Sequence, residues 1–275
     1  MSVTEQPKIA QVKFRDLAVS RFIVGGNPFA GFSHHDGAMD QEMKDYYTNA
    51  QIHATYRRAE QLGVTACIAR TDEHMIGVLR EYWEAGGTIQ WIGQTAPERG
   101  PAPVGAQAAI ENGASAIFVH GGETDHLEIH GRLAELKVAI DLIHAAGLPA
   151  GIAGHRPPIF EYAEEHLDCD FYMCSYYDPV PRDETPQHIT QEERFLSAHR
   201  DRMTAFIPTL TKPVIHYKIL AAGRNDPREG FARAAQTMRP TDAVCVGVFT
   251  KHRPEEIAQD IGHLKEALAA VGQQG

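Results

Sequence analysis

The sequence is poor in the features that mark secreted and membrane-spanning proteins. Its 275 residues include only four cysteines, with no C-x-x-C pair, so we expect reduced thiols in or near strands, as in cytosolic proteins. The opening residues, MSVTEQPKIAQ, lack the apolar segment of a signal peptide. No apolar run approaches the roughly 18 residues of a membrane span. We therefore expect a cytoplasmic protein without a membrane partner. The cysteines are Cys67, Cys169, Cys174 and Cys245.

Positive charge is also scarce. The chain has 26 Lys and Arg against 36 Asp and Glu, which gives a formal net charge of -10. A surface of this sign repels the phosphate backbone of nucleic acids, so we expect none as a partner. The expected partner is a small-molecule substrate, and homo-oligomerisation stays open.

Strand and helix patterns alternate along the whole chain. Short β-rich runs are each followed by a segment of helical spacing, and several of these helices end at glycine, as at Gly63 and Gly147. Eight such units require a parallel sheet with right-handed crossovers, and eight units close into a barrel. The sequence therefore predicts an α/β fold, a single (β/α)8 TIM barrel formed by one domain, residues 1–275. Strands are predicted at 21–26, 64–69, 89–93, 115–119, 149–153, 170–174, 214–220 and 242–247. Long loops are predicted after the first and sixth strands, the second leading into a helix from residue 191 onward.

Nearly every predicted strand ends in a polar side chain. Active sites of such barrels lie at the carboxyl ends of the strands, so these residues are the candidate site. A simpler interpretation, that strand ends are polar because they meet water, accounts well for the asparagine, the glutamine and the last lysine, and less well for three histidines. The candidates are Asn27, Arg70, Asp72, Gln94, His120, His155, Cys174, Tyr176, His216, Lys218 and Lys251.

The seventh strand, VIHYKIL, carries two ionisable groups. Side chains alternate along a strand, so His216 and Lys218 share a face, which we expect to be the barrel interior, with Tyr217 facing the helices. Buried charges are costly unless paired or used, so the two are either a functional pair or partnered core groups. Lys218 could be a general base or Schiff-base amine, or a fixed cation that stabilises an enolate or carboxylate; we prefer the cation. Arg224 closes the following turn, which either binds phosphate or is a plain connection.

The three histidines allow two kinds of chemistry. His120, His155 and His216 could bind a divalent metal ion, with Asp72 or Glu98 completing the shell, although no short-range motif such as H-E-x-x-H is present. Without a metal, the same side chains would act as general acid and base.

Two stretches resemble the aldo-keto reductase family. They are FRDLAVSRFIVGGNPFAG near the start and VIHYKILAAGR with VGVFTKHRPEEIAQDI near the end. The family transfers hydride with an Asp-Tyr-Lys-His tetrad. His120 matches the histidine of the tetrad. The position of the family's Asp falls at residues 68–70, that of its Tyr at residues 72–74 and that of its Lys near Gln94, and none of these has the matching side chain. Lys251 and Arg253 are similar to the contacts with the NADPH 2'-phosphate. Since the tyrosine and lysine are absent, we expect NADPH to bind weakly or not at all. The segments GGNPFAGFSH, QTAPE, VHGG, GIAGH and HYKILAAGR also resemble a group of bacterial barrel proteins, a likeness that implies the fold only.

The candidates favour an enzyme of lyase or isomerase type. We expect acid/base chemistry, with or without help from a divalent metal, on a polar, oxygenated substrate resembling a sugar or keto acid. Alternatives are an NADPH-dependent reductase and a ligand-binding barrel without catalysis. The expected catalytic residues are His120, His155, His216, Lys218, Asp72 and Tyr176. The expected substrate contacts are Asn27, Arg70, Gln94, Arg224 and Lys251.

Overall fold

Eight parallel strands form a closed barrel, which confirms the predicted (β/α)8 TIM fold. The structure is a computed structural model and describes residues 9–187 and 194–275. Two further strands pair as an antiparallel hairpin ahead of the barrel. In chain order the strands are β1 (Gln11–Phe14), β2 (Leu17–Ser20), β3 (Phe22–Gly25), β4 (Ala66–Arg70), β5 (Gln90–Gln94), β6 (Ala116–Val119), β7 (Ala150–Gly154), β8 (Phe171–Ser175), β9 (Val214–Tyr217) and β10 (Ala243–Gly247).

Helices connect the barrel strands. Asp72 accepts a hydrogen bond from the backbone N–H of Met75 at 2.9 Å, so it caps the helix after β4 as its sequence position predicts. The helices are α1 (Gly37–Tyr46), α2 (Asn49–Gln61), α3 (Glu73–Glu84), α4 (Ala102–Glu111), α5 (Gly121–Ile129), α6 (Leu136–Ala145), α7 (Pro157–His166), α8 (Ser197–Phe206), α9 (Pro227–Thr237) and α10 (Glu256–Ala270).

The ring closes between β10 and β3, where Val244 pairs with Phe22 and Gly247 with Gly25. Buried side chains form two layers. One lies inside the barrel, with Ile68 and Phe118 among its members, and the other lies between the strands and the helices. The hairpin belongs to the inner layer, since the Phe14 ring stacks on that of Phe171 with centroids 4.9 Å apart. It fills the amino-terminal end of the barrel and leaves the carboxyl end for a site.

One unpredicted hairpin and three predicted segments differ between the prediction and the structure. The hairpin was not predicted, and the loop expected after the first barrel strand contains α1. The strand predicted at 214–220 ends at Tyr217, because Lys218 has a positive φ of 57° that turns the chain. The helix expected from residue 191 begins at Ser197; residues 191–193 lie outside the described residues.

All four cysteines are buried as free thiols, as expected. Within the described residues, no helix combines the length and apolar character needed to cross a membrane.

Candidate functional site

A cavity of about 320 Å³ opens at the carboxyl ends of the barrel strands. Gly25, Gly121 and Gly247 line it together with His155, so the strand ends meet at one rim as predicted. Its polar and charged lining side chains are Asn27, Ser33, His34, His35, Arg70, Gln94, His120, His155, Arg182, Tyr217, Lys218, Arg253 and Glu256.

A chain of three side chains reaches this cavity from behind the barrel wall. Asp125 on α5 is buried and accepts hydrogen bonds from the backbone N–H of His155, at 3.1 Å, and from its Nδ1, at 2.5 Å. The carboxylate thereby fixes the tautomer, leaving Nε2 to accept a hydrogen bond from the Tyr217 hydroxyl at 3.2 Å. Burial, reinforced by the negative charge of Asp125, raises the pKa of Tyr217 well above its ordinary value. We call Asp125, His155 and Tyr217 the cavity relay.

Gly121, the first residue of α5, packs directly against this relay. A Cβ atom there would lie 2.9 Å from His155 Cε1 and 3.1 Å from the Tyr217 hydroxyl. The imidazole cannot move away without loss of its hydrogen bonds, because Cε1 lies between Nδ1, which is bound to Asp125, and Nε2, which is bound to Tyr217. The helix must therefore begin with glycine for the relay to form.

His120 is held as a neutral hydrogen-bond donor. It caps α5 through Nδ1, which accepts from the Gly122 N–H at 3.0 Å, so the hydrogen of the ring lies on Nε2. Burial lowers the pKa of His120 well below its ordinary value, and the positive charges of Arg182 and Arg70 lower it further. A neutral imidazole of this tautomer can donate to a substrate oxygen over the physiological pH range.

Four cations line the cavity; Arg253 pairs with Glu256, and the other three are Arg70, Arg182 and Lys218. The Arg70 guanidinium contacts Asp72 and Glu98 and lies over the Phe32 ring. Although two carboxylates pair with Arg70, the positive charges of all three cations lower the pKa of His120. The potential at His120 is therefore positive in a protein with a net charge of -10, which suits an anionic ligand.

Lys218 enters the cavity because the backbone leaves the strand there. Its left-handed φ breaks the alternation that would place it beside His216. The ammonium lies 3.3 Å from His34 Nε2, which also contacts the Asn27 amide at 3.0 Å. Ala221 and Ala222 in the same turn are also left-handed. Such conformations are unfavourable for non-glycine residues and concentrate at ligand-binding sites.

The predicted interior position of His216 is wrong. Ile215 and Tyr217 face the barrel interior, whereas His216 lies on the outer face and is fully buried. There its Nε2 donates to Asp242 at 3.3 Å and its Nδ1 accepts from the Tyr176 hydroxyl at 3.0 Å. The alternative of a partnered core group therefore describes His216. Tyr217 faces the cavity and not the helices, the reverse of our prediction.

Six of the eleven predicted catalytic or substrate-binding residues line the cavity: Asn27, Arg70, Gln94, His120, His155 and Lys218. The other five do not contribute side chains to it. Tyr176 lies with His216, and Asp72 caps α3 beside Arg70. Arg224 donates to the carbonyl of His34 at 2.8 Å, and Lys251 pairs with Glu42 at 2.8 Å.

Of the residues expected to bind a divalent metal or to contact NADPH, His216, Lys251 and Arg253 each pair with a carboxylate in the structure. His216 is on the opposite face of the strand from the cavity, so the three histidines do not converge. Across residues 9–187 and 194–275, no group of three or more His, Cys, Asp or Glu is arranged to hold a metal ion. Lys251 and Arg253 are the residues similar to the aldo-keto reductase contacts with the NADPH 2'-phosphate. Lys251 pairs with Glu42, and Arg253 pairs with Glu256.

Two members of the relay and one cation were not predicted from the sequence. Asp125 lies in the first turns of a helix, whereas the candidates were sought at strand ends. Tyr217 was assigned to the wrong face. Arg182 lies in the long loop after β8 and is buried. The alternation of side chains along β9 could have identified Tyr217, because residues two positions apart in a strand face the same side. Tyr217 therefore faces the barrel interior together with Ile215.

Known structures share the fold at low sequence identity. A Pseudomonas aeruginosa protein assigned to the aldo-keto reductases is 16% identical, over 94% of this chain and 96% of that one, with a TM-score of 0.60. A truncated 3-deoxy-D-arabino-heptulosonate 7-phosphate synthase from Thermotoga maritima is 12% identical, over 97% and 95%, also with a TM-score of 0.60. An N-acetylmannosamine-6-phosphate 2-epimerase from Clostridium perfringens is 16% identical, over 79% and 86%, with a TM-score of 0.51. No protein-family model and no curated protein sequence matches the chain. These likenesses show the barrel fold, including its distant resemblance to the aldo-keto reductases.

Proposed function

We propose that the protein is an acid/base enzyme of lyase or isomerase type, acting on a small, anionic, oxygenated substrate that resembles a sugar or keto acid. The observation that carries this proposal is the cavity relay, which ends in the Tyr217 hydroxyl at a cavity that Arg70, Arg182 and Lys218 also line. The fold likeness to a heptulosonate phosphate synthase and to an epimerase agrees with a substrate of this class.

The relay moves a proton between a substrate oxygen and His155. Tyr217 accepts the proton of a substrate hydroxyl while it passes its own to His155 Nε2. Asp125 stabilises the imidazolium that results, as a carboxylate does beside a catalytic histidine. The high pKa of Tyr217 keeps its hydroxyl protonated between turnovers, so tyrosinate does not accumulate.

The negative charge that develops on the substrate is stabilised by a hydrogen-bond donor and two cations that line the same cavity. His120 donates from Nε2, and Lys218 and Arg182 supply positive charge near the same point. Loss of a hydroxyl proton together with stabilisation of an enolate is what a retro-aldol cleavage requires. The C–O bond becomes a carbonyl, the adjacent C–C bond breaks, and its electron pair forms the enolate of the second fragment, which then takes up a proton at carbon. An enediol isomerisation would require in addition that a cavity group removes a carbon-bound proton.

Proton exchange in D2O tests this function whichever product is formed. A panel of sugar phosphates and keto acids is incubated with the protein in D2O, and NMR follows deuterium at carbon together with any new product. We expect exchange with at least one compound, lost in His155→Gln and retained in the control Tyr176→Phe. Exchange with no compound, or exchange that survives His155→Gln, would contradict the proposal.

A reductase is the second candidate, favoured by His120 at the position of the family's histidine. Titration with NADPH separates the two. The paired states of Lys251 and Arg253 lead us to expect no binding at micromolar concentrations, so micromolar affinity would favour the reductase.

A further inference from the structure

The wall of the cavity has a polar part and an apolar part above the buried interior of the barrel. The polar sector consists of side chains from the ends of β4 to β7 and of β9, together with Asn27 and His34 from the segment after β3. The strands β3 and β10 themselves, which are neighbours, line the cavity with Gly25, Cys245, Val246 and Gly247, and we call this part of the wall, with the side chains that cover it, the apolar sector. Other apolar lining residues, such as Ile68, Phe118 and Met173, belong to the cluster inside the barrel.

Apolar side chains cover this sector. Met39 and Met43 lie one turn apart on α1 and both line the cavity, as do Pro28 and Phe249. The Phe249 ring is held by Tyr46 and Tyr47, at centroid distances of 5.7 and 6.0 Å. Two flexible thioether side chains and a fixed ring form an adaptable surface for an apolar group.

The charges at the edge of this sector compensate each other. Arg253 pairs with Glu256, and Glu256 also accepts a hydrogen bond from the Phe249 N–H at 2.6 Å. The net positive field of the cavity therefore belongs to the polar sector, around His120. A ligand that filled both sectors would carry its charge at one end only.

We propose that the substrate carries an aryl or branched apolar arm, which binds between Met39, Met43 and Phe249, while its anionic, oxygenated end binds at the relay. This inference rests on the proposed function for the polar end. The cavity volume of about 320 Å³ corresponds to roughly ten water molecules, more than a three-carbon keto acid needs. Burial of apolar surface over the β3–β10 wall supplies the affinity for the arm.

Calorimetric titration with phenylpyruvate and pyruvate tests the arm. The two compounds share the keto-acid end and differ by a phenyl ring. We expect phenylpyruvate to bind at least tenfold more tightly to the native protein. In the double variant Met39→Gln, Met43→Gln the ratio should fall to about two, with the affinity for pyruvate unchanged within twofold. Lys218→Met should weaken both compounds equally.

Val104→Gln, at an exposed position on α4, is the matched control and should keep the native ratio. A ratio near one in the native protein, a ratio that the double methionine variant leaves unchanged, or failure of both acids to bind overturns the inference. Failure of the proposed function gives a different result from failure of this inference. In that case phenylpyruvate binds with the expected preference over pyruvate, but no compound of the panel takes up deuterium at carbon.

Discussion

Two Asp–His–Tyr chains lie in this barrel, and they share residue types but not surroundings. The cavity relay joins Asp125, His155 and Tyr217, and the second chain joins Asp242, His216 and Tyr176. His216 and Tyr217 are adjacent in sequence and point to opposite faces of β9, so a single strand contributes to both chains. We call the second one the enclosed chain.

The difference lies in how completely each carboxylate is bound. Asp242 is fully buried and accepts hydrogen bonds from His216, from the Val214 N–H and from the Arg239 backbone and guanidinium. Burial alone would raise its pKa, but the bonds from His216 and Arg239 outweigh burial and lower the pKa to about 2. Asp125 binds mainly the residue that it orients, and its chain ends in the cavity. We therefore expect identical residue types to have a structural role where every group is enclosed, and a chemical role where the chain ends at a cavity.

The largest expected effect is on the rate of the relay reaction. In Asp125→Asn the amide cannot hold the Nδ1–H tautomer of His155, so we expect turnover of the panel substrate to fall about 10³- to 10⁴-fold. The measurement is the rate of deuterium incorporation, alongside circular dichroism to verify folding. If turnover stays within tenfold of the native rate, both chains are structural.

Asp242→Asn is the matched change in the enclosed chain. It removes the buried charge that pairs with half-buried Arg239 and accepts the hydrogen bond from His216, so the free energy of unfolding should fall by about 3–5 kcal/mol at pH 7. Urea denaturation at several pH values is the measurement. A depressed pKa stabilises the fold above the unfolded value near 4, and this contribution, about 2 kcal/mol, is lost as the pH falls towards 2. The native protein should show this slope and the variant should not; equal slopes would contradict the assignment.

The sequence predicted the barrel well and the site only in part, for identifiable reasons. Glycine-terminated helices and short β-rich runs specify the fold locally, and strand ends such as His120 and His155 follow from it. The interior face of β9 was assigned wrongly, because the prediction assumed that the strand continues through Lys218. The left-handed turn at Lys218 separates it from His216, and alternation alone cannot reveal such a turn. Asp125 was missed because it reaches His155 from a helix, a contact across 30 residues of chain.

A third buried carboxyl group, Asp260 on α10, shows what happens without a histidine partner. Its Oδ2 atom has no hydrogen-bond partner among the described residues. Burial, with the negative charge of Glu256, raises its pKa to about 7. An acid with a raised pKa destabilises the fold as the pH rises from the unfolded value near 4 through 7. We therefore expect Asp260→Asn to increase the free energy of unfolding by about 4 kcal/mol at pH 8 and to have little effect at pH 4, since the difference between a pKa near 4 and one of about 7 corresponds to about 4 kcal/mol. Urea denaturation of both proteins at the two pH values measures this, and a variant less stable at pH 8 would contradict it.

The smallest expected effect is the difference in the free energy of unfolding between the variants Tyr176→Phe and Tyr217→Phe. Tyr176→Phe leaves His216 Nδ1 buried without a donor, which should lower the free energy of unfolding by about 1–3 kcal/mol. Tyr217→Phe leaves His155 Nε2 at the cavity, where water can replace the lost hydroxyl, so the change should stay below about 0.5 kcal/mol. The rates should show the opposite order, with turnover unchanged in Tyr176→Phe and reduced about 10²- to 10⁴-fold in Tyr217→Phe. Thermal unfolding and deuterium exchange on the same two preparations give both comparisons. Because each variant removes one hydroxyl from the same kind of chain, a parallel loss of stability and rate in both would show that position relative to the cavity does not decide their roles.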